Sequence, residues 1–175
     1  ALYDRDSIAN NYFKDIETNY LALKTTASHT KSKPSILVGS LFQDVWYAAA
    51  GENFLAQMIR DARGNYLWKD TKGNGSLTLS IESVLDKAKN ADIWIAPGNY
   101  ESTNSLFEAN SIYKEFKPFH TKSIYSYAHL KGKTGGIIYF ESSPLHPDWV
   151  LEDLIQIFHP DLKLERDLHF FKKIE

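Results

Sequence analysis

"SILVGSLFQDVWYAAAGENFLAQMIRDARG" (residues 35–64) sets the fold. Ser35 to Ser40 is a short apolar run bounded by serines, the pattern of a buried strand. Phe54, Leu55, Met58, Ile59 and Ala62 recur at helical spacing, so residues 51–64 read as a helix with Gly64 as its C-terminal stop. A strand followed by a helix is the unit of an α/β domain. Between them, where a turn would carry Gly, Asn, Asp or Pro, stand Phe42, Trp46 and Tyr47. This aromatic loop follows the carboxyl end of a strand, where open α/β sheets take their ligands. Its rings either line a ligand face or cap the domain core, and the residues alone leave both open.

The pattern repeats outward. From about Asp6 to Ala27, Ile8, Phe13, Ile16, Tyr20 and Leu23 mark a long helix, with "SHTKSKP" and Pro34 ending it. The opening residues from Ala1 read as helix too, as in a mature protein or a piece of a longer one. Downstream, "NYLWKD" is a short strand or edge segment and "TKGNGS" a flexible turn. Ser80 caps a helix running to Asn90, with Val84, Leu85 and Ala88 inward. "DIWIAP" (92–97) and "KSIYSYA" (122–128) are further strands. Residues 102–109 and 112–116 suggest short helical turns, and residues 129–146 an irregular stretch. Pro147 opens a strong final helix with Val150, Leu151, Leu154, Ile155 and Phe158 inward. Alternating strands and helices predict an α/β fold: a central, mostly parallel sheet flanked by helices in three layers. Trp68 and Trp94 are assigned to its core.

Composition bounds the function. At 175 residues, the chain makes one domain or two small ones. The absence of cysteine excludes disulfides, thiolate metal sites and a cysteine nucleophile. A net charge of −2 gives no reason to expect a nucleic-acid partner. No apolar run reaches the roughly 18 residues of a membrane-spanning helix. The six histidines show no metal-binding spacing, and no G-x-S-x-G elbow is present. Gly73 and Gly75 lack the third glycine of a dinucleotide loop. No catalytic or metal-ligating set stands out. In an enzyme using the same rim, Asp44, His129 or Glu141 would supply the acid or base.

Five segments, in order, resemble a known family. They are Trp46–Ala56 (W-Y-x-x-x-G-x-x-x-x-A), Asp61–Asp70 (D-A-x-G-x-Y-x-W-K-D), Ser80–Val84 (S-x-E-x-V), Ala91–Ile95 (A-D-x-W-I) and Pro147–Pro160. Together they resemble the C-terminal half of the periplasmic substrate-binding proteins of ABC importers, in the group delivering iron–siderophores, haem or cobalamin. The resemblance implies a non-enzymatic protein of two α/β lobes joined by one long helix, with cargo held between them. Residues 1–27 would be the end of that helix and residues 34–175 the C-terminal lobe, the N-terminal lobe being absent.

The resemblance further implies a cleft wall of Phe42, Trp46, Tyr47, Ser76, Asn99, Tyr100, Tyr139 and Phe140, where rings would stack on a metal-chelate cargo. It places Glu82 at the carboxylate that docks on arginines of the membrane permease subunits. It implies no intrinsic cofactor, and a periplasmic or cell-envelope location with any lipid anchor upstream. Haem ligation would need a Tyr or His, and an acidic siderophore an arginine cluster. Only Arg5, Arg60, Arg63 and Arg166 are present. A small α/β enzyme and a protein-interaction module remain as the alternatives.

Overall fold

In a computed structural model, residues 6–164 and 166–175 are described. The expected helical opening at residues 1–5 lies outside them, as does Arg5. The elements are α1 (Asp6–Ser28), β1 (Ser35–Val38), β2 (Ser40–Phe42), β3 (Val45–Ala49), α2 (Phe54–Asp61), β4 (Asn65–Tyr66), β5 (Ser76–Leu79) and α3 (Ile81–Ala88). There follow β6 (Ile93–Ile95), α4 (Thr103–Ala109), α5 (Lys117–His120), β7 (Ile124–Ser126), α6 (Ile138–Ser142), α7 (Pro147–Phe158) and β8 (Lys172–Lys173). None of the described helices is long and apolar enough to cross a membrane.

The central sheet has the order β4-β1-β6-β7-β8. Its first four strands are parallel, and β8 closes one edge antiparallel to β7. From β1 the chain crosses by α2 to β4 on one side, then by α3 back past β1 to β6. Right-handed crossovers in opposite directions put helices on both faces of the sheet. The α/β class expected from the sequence is what the chain adopts. Trp94 and Trp68 are buried, as expected.

The helices start and stop for local reasons. Asn53 caps α2 by accepting from the Leu55 N–H, and Ser80 caps α3 by accepting from the Ser83 N–H. Pro147 takes the first turn of α7, where its missing N–H costs nothing. At the end of α2 the left-handed residue is Arg63 (φ 62°), not Gly64. Gly64 is needed for space instead: a Cβ there would lie 2.7 Å from both Ile59 and Phe158. The long helix α1 ends at Ser28, six residues before Pro34, with Ser28 and Thr30 hydroxyls donating back to the carbonyls of Thr25 and Ala27.

The segment expected to be an aromatic loop is a β-hairpin. β2 and β3 pair antiparallel across a two-residue turn, Gln43–Asp44, and β5 adds a third strand. Gln43 has φ 55°, the positive value that such turns require at their first position. This small sheet was not foreseen, and neither was β8. Along β3, successive side chains alternate between faces. Trp46 therefore points inward and Tyr47 outward. Trp46 is 0% exposed and packs against Trp94 at 5.6 Å and Phe116 at 5.4 Å. Its indole N–H donates to the Val38 carbonyl. Its expected place in a cleft wall is thus corrected: Trp46 is a core residue tying the hairpin to β1.

Candidate functional site

Strands β1, β6 and β7 end side by side, at Val38, Ile95 and Ser126. The chain leaves β1 in one direction, and β6 lies on its other side, so this is the switch point where open α/β sheets bind ligands. A cavity of about 310 Å³ opens there. Val38 at the end of β1 and Gly39 just past it border the cavity, with Ala96 after β6 and Tyr127 after β7. Tyr47 of β3, Ser76 of β5, Phe54 of α2, and Tyr139 and Phe140 of α6 complete its walls.

The hairpin reaches this point because residue 39 is glycine. Its φ is 91°, and a Cβ there would lie 1.8 Å from the Tyr47 carbonyl oxygen. The opposite wall is a stack of rings. Tyr127 lies flat on Tyr139, centroids 4.7 Å apart and planes within 10°. Phe140 meets Tyr127 edge-on at 5.1 Å. Behind them, Phe170 and Phe171 contact Tyr139 at 5.7 and 5.6 Å. Those two residues are held by the buried Asp153 of α7, whose carboxylate accepts the N–H groups of His169, Phe170 and Phe171 at 2.7, 2.7 and 3.1 Å.

The cavity is apolar and uncharged. Burial raises the pKa values of the Tyr127 and Tyr139 phenols, so both stay neutral near pH 7. Among the described residues no Asp, Glu, Lys, Arg or His lines it. Arg60 is exposed on α2, Arg63 donates to the Thr30 carbonyl, and Arg166 lies 3.9 Å from Glu152. Among the described residues no cluster of three or more His, Asp or Glu is placed to hold a metal ion. Asp44, His129 and Glu141 do not line the cavity. What this surface offers is stacking and apolar contact, with the Ser76, Ser143 and Asn53 side chains as neutral polar groups.

Of the expected wall residues, Tyr47, Ser76, Tyr139 and Phe140 come together here. Tyr47 is 41% and Phe140 60% exposed, so both rings are free to meet a ligand. Ser76 opens β5 and is not adjacent to α3, which Ser80 caps. Phe42 stands outside the cavity, 68% exposed, with its ring edge-on to Tyr47 at 6.4 Å. Asn99 is exposed and Tyr100 packs on Tyr113 at 6.1 Å; their loop reaches the cavity through Ala96 instead. Glu82 is exposed in the first turn of α3, in a separate groove with Asp44 of the hairpin turn and Asn110. Sequence reasoning missed Tyr127, which is the first residue past β7, and so stands where a ligand-facing residue belongs. It also assigned Phe54 to the inner face of α2, whereas its ring is half-exposed at the rim.

No family model matches the chain. It is 28% identical over 176 residues to an uncharacterised lipoprotein of Methanocaldococcus jannaschii, matching 99% of this chain and 40% of that protein. A second uncharacterised protein of that organism is 24% identical, matching 99% of this chain and 52% of that protein. The chain thus spans about half the length of the curated relatives it matches. Among solved structures, the TroA-like periplasmic binding protein FepB from Veillonella parvula superposes with a TM-score of 0.71 at 15% identity, over 98% of this chain and 57% of that one. IsdE of S. aureus, complexed with heme, gives 0.65 at 20% identity, over 90% of this chain and 60% of that one. At these identities the likeness is one of architecture. The chain therefore has the fold of the C-terminal lobe of periplasmic solute-binding proteins.

Proposed function

We propose that this chain is the C-terminal lobe of the solute-binding component of an ABC importer, and that its aromatic cavity forms one wall of a cleft for a metal-chelate cargo. The uncharged cavity at the ends of β1, β6 and β7, walled by Tyr47, Tyr127, Tyr139 and Phe140, carries the proposal. A flat macrocyclic cargo such as haem or cobalamin suits such a wall better than a tri-anionic siderophore, which would need cations that the described residues do not place there. The heme in the IsdE structure and the lipoprotein name of one relative agree with this cargo and with a cell-envelope location.

In this proposal residues 1–27 are the end of a bridging helix and residues 34–175 the lobe. The burial of α1 supports that division. Its C-terminal half packs through Tyr20, Leu23 and Ala27, while Ile8, Tyr12 and Phe13 further up stay exposed. Glu82 would dock on a basic group of the permease, contributing orientation and encounter rate more than affinity.

The test is cargo titration of the full-length protein with haem, cobalamin and ferric siderophores, followed by absorbance and calorimetry. Tyr47→Ala and Phe140→Ala should each weaken the bound cargo about tenfold, the loss of one good ring contact. Unchanged affinity for every cargo in both variants refutes the placement of the cleft. Glu82→Arg should abolish uptake into cells while leaving cargo affinity as it was; a loss of cargo affinity instead would move Glu82 into the cleft.

A further inference from the structure

A concavity larger than the aromatic cavity lies elsewhere, along the groove between α1 and α7, with a volume of about 640 Å³. It shares no lining residue with the aromatic cavity. The two helices run parallel: Asn19 meets Asp148 and Thr30 meets His159 at the same offset of 129 residues. Asn19 and Thr26 both line the groove, so it extends about 10 Å along α1 at 1.5 Å per residue. Its apolar wall is Ala22, Leu23 and Leu164.

At one end lies Asp148, only 4% exposed. One carboxylate oxygen has no hydrogen-bond partner among the described residues, and the other has only the Asn19 amide at 3.5 Å. A buried carboxylate without a cation is costly, and the favourable field of the α7 N-terminus offsets only part of that cost. Glu152, in the same groove, is different: its oxygens are engaged by His169 at 3.1 Å and Arg166 at 3.9 Å. The unmet demand for positive charge is therefore at Asp148.

We infer that the α1–α7 groove binds a small organic cation, with its ammonium or guanidinium group on Asp148 and its apolar body along Ala22, Leu23 and Leu164. The ligand class follows from the pairing of one unsatisfied acid with a short apolar wall in a groove whose other acid, Glu152, already faces Arg166 and His169. Lys163 stands at the groove as well and makes no ion pair with Asp148 among the described residues.

Trp149 lines the groove and reports on it. Its indole N–H resonance, assigned with Trp149→Phe, is followed in the purified protein on titration with n-butylammonium chloride. Sodium chloride at equal ionic strength and sodium butyrate are the controls. A saturable shift with butylammonium alone, with a dissociation constant on the order of millimolar, is expected. Asp148→Asn, nearly the same shape, should weaken it at least tenfold. Ala22→Phe, at an exposed helix position in the groove lining, adds bulk to the groove while keeping the Asp148 carboxylate, and should do the same. The inference fails if no saturable shift occurs, if both controls reproduce it, or if Asp148→Asn binds as tightly as wild type. It fails also if binding emerges only after Lys163→Ala, since Lys163 would then be the cation that Asp148 already has.

Discussion

Replacing Asp153 by alanine should loosen the aromatic wall from behind. The Asp153 side chain is fully buried and accepts three backbone N–H groups, those of His169, Phe170 and Phe171. Two of these bonds are wholly buried, so the variant leaves two donors unpaired in the interior, at about 1–3 kcal/mol each. Removing a desolvated charge returns part of that, and the expected net loss is about 2–4 kcal/mol. Urea denaturation of wild type and Asp153→Ala measures it. The pH dependence is a sharper check. Burial raises the Asp153 pKa above its ordinary 3.8, while the three N–H bonds and nearby His169 pull it down less strongly. A raised carboxyl pKa contributes stability that is fully present below the unfolded value and is lost as pH rises through the folded value. The deficit of the variant should therefore be larger at pH 4 than at pH 7. A deficit below about 1 kcal/mol, within the cost of one net hydrogen bond, refutes the anchoring role. A deficit that shrinks in acid means the N–H bonds outweigh burial. Near-ultraviolet circular dichroism should also change, because Phe170 and Phe171 support Tyr139.

Trp46→Ala should act on stability: deleting a fully buried indole costs about 3–5 kcal/mol in urea denaturation, and a stable variant with weakened cargo binding alone would return Trp46 to the cleft. His159 gives a second pH signature. Burial lowers its pKa from 6.5, and the hydrogen bond to the Ala62 carbonyl only partly restores it. A depressed histidine stabilises the fold above the unfolded value and loses that contribution as pH falls. Stability should drop from pH 7 towards pH 5, and His159→Gln, which keeps an N–H donor, should flatten the slope; an equal slope in the variant excludes His159 as its source.

The sequence alone determined what depends on neighbours along the chain. Ser35–Ser40 had to hold a buried strand because Ile36, Leu37 and Val38 are consecutive apolar residues, and α2 and α7 had to be helices because theirs recur at helical spacing. Ser80 was placed to cap a helix, and Pro147 to open one. From this came the α/β class and the rim on which the aromatic cavity opens. Tertiary structure decided which rings face that site. Trp46 and Tyr47 are adjacent aromatics, and only the register of β3 against β2 and β5 sends one inward and the other out. The hairpin was hidden because its turn is Gln43–Asp44, with no glycine to announce it. The partners of Asp153 lie 16 to 18 residues away, and Asn19 meets Asp148 across 129. Contacts between such distant residues leave no local period in the sequence; they exist only once the helices and sheet have packed.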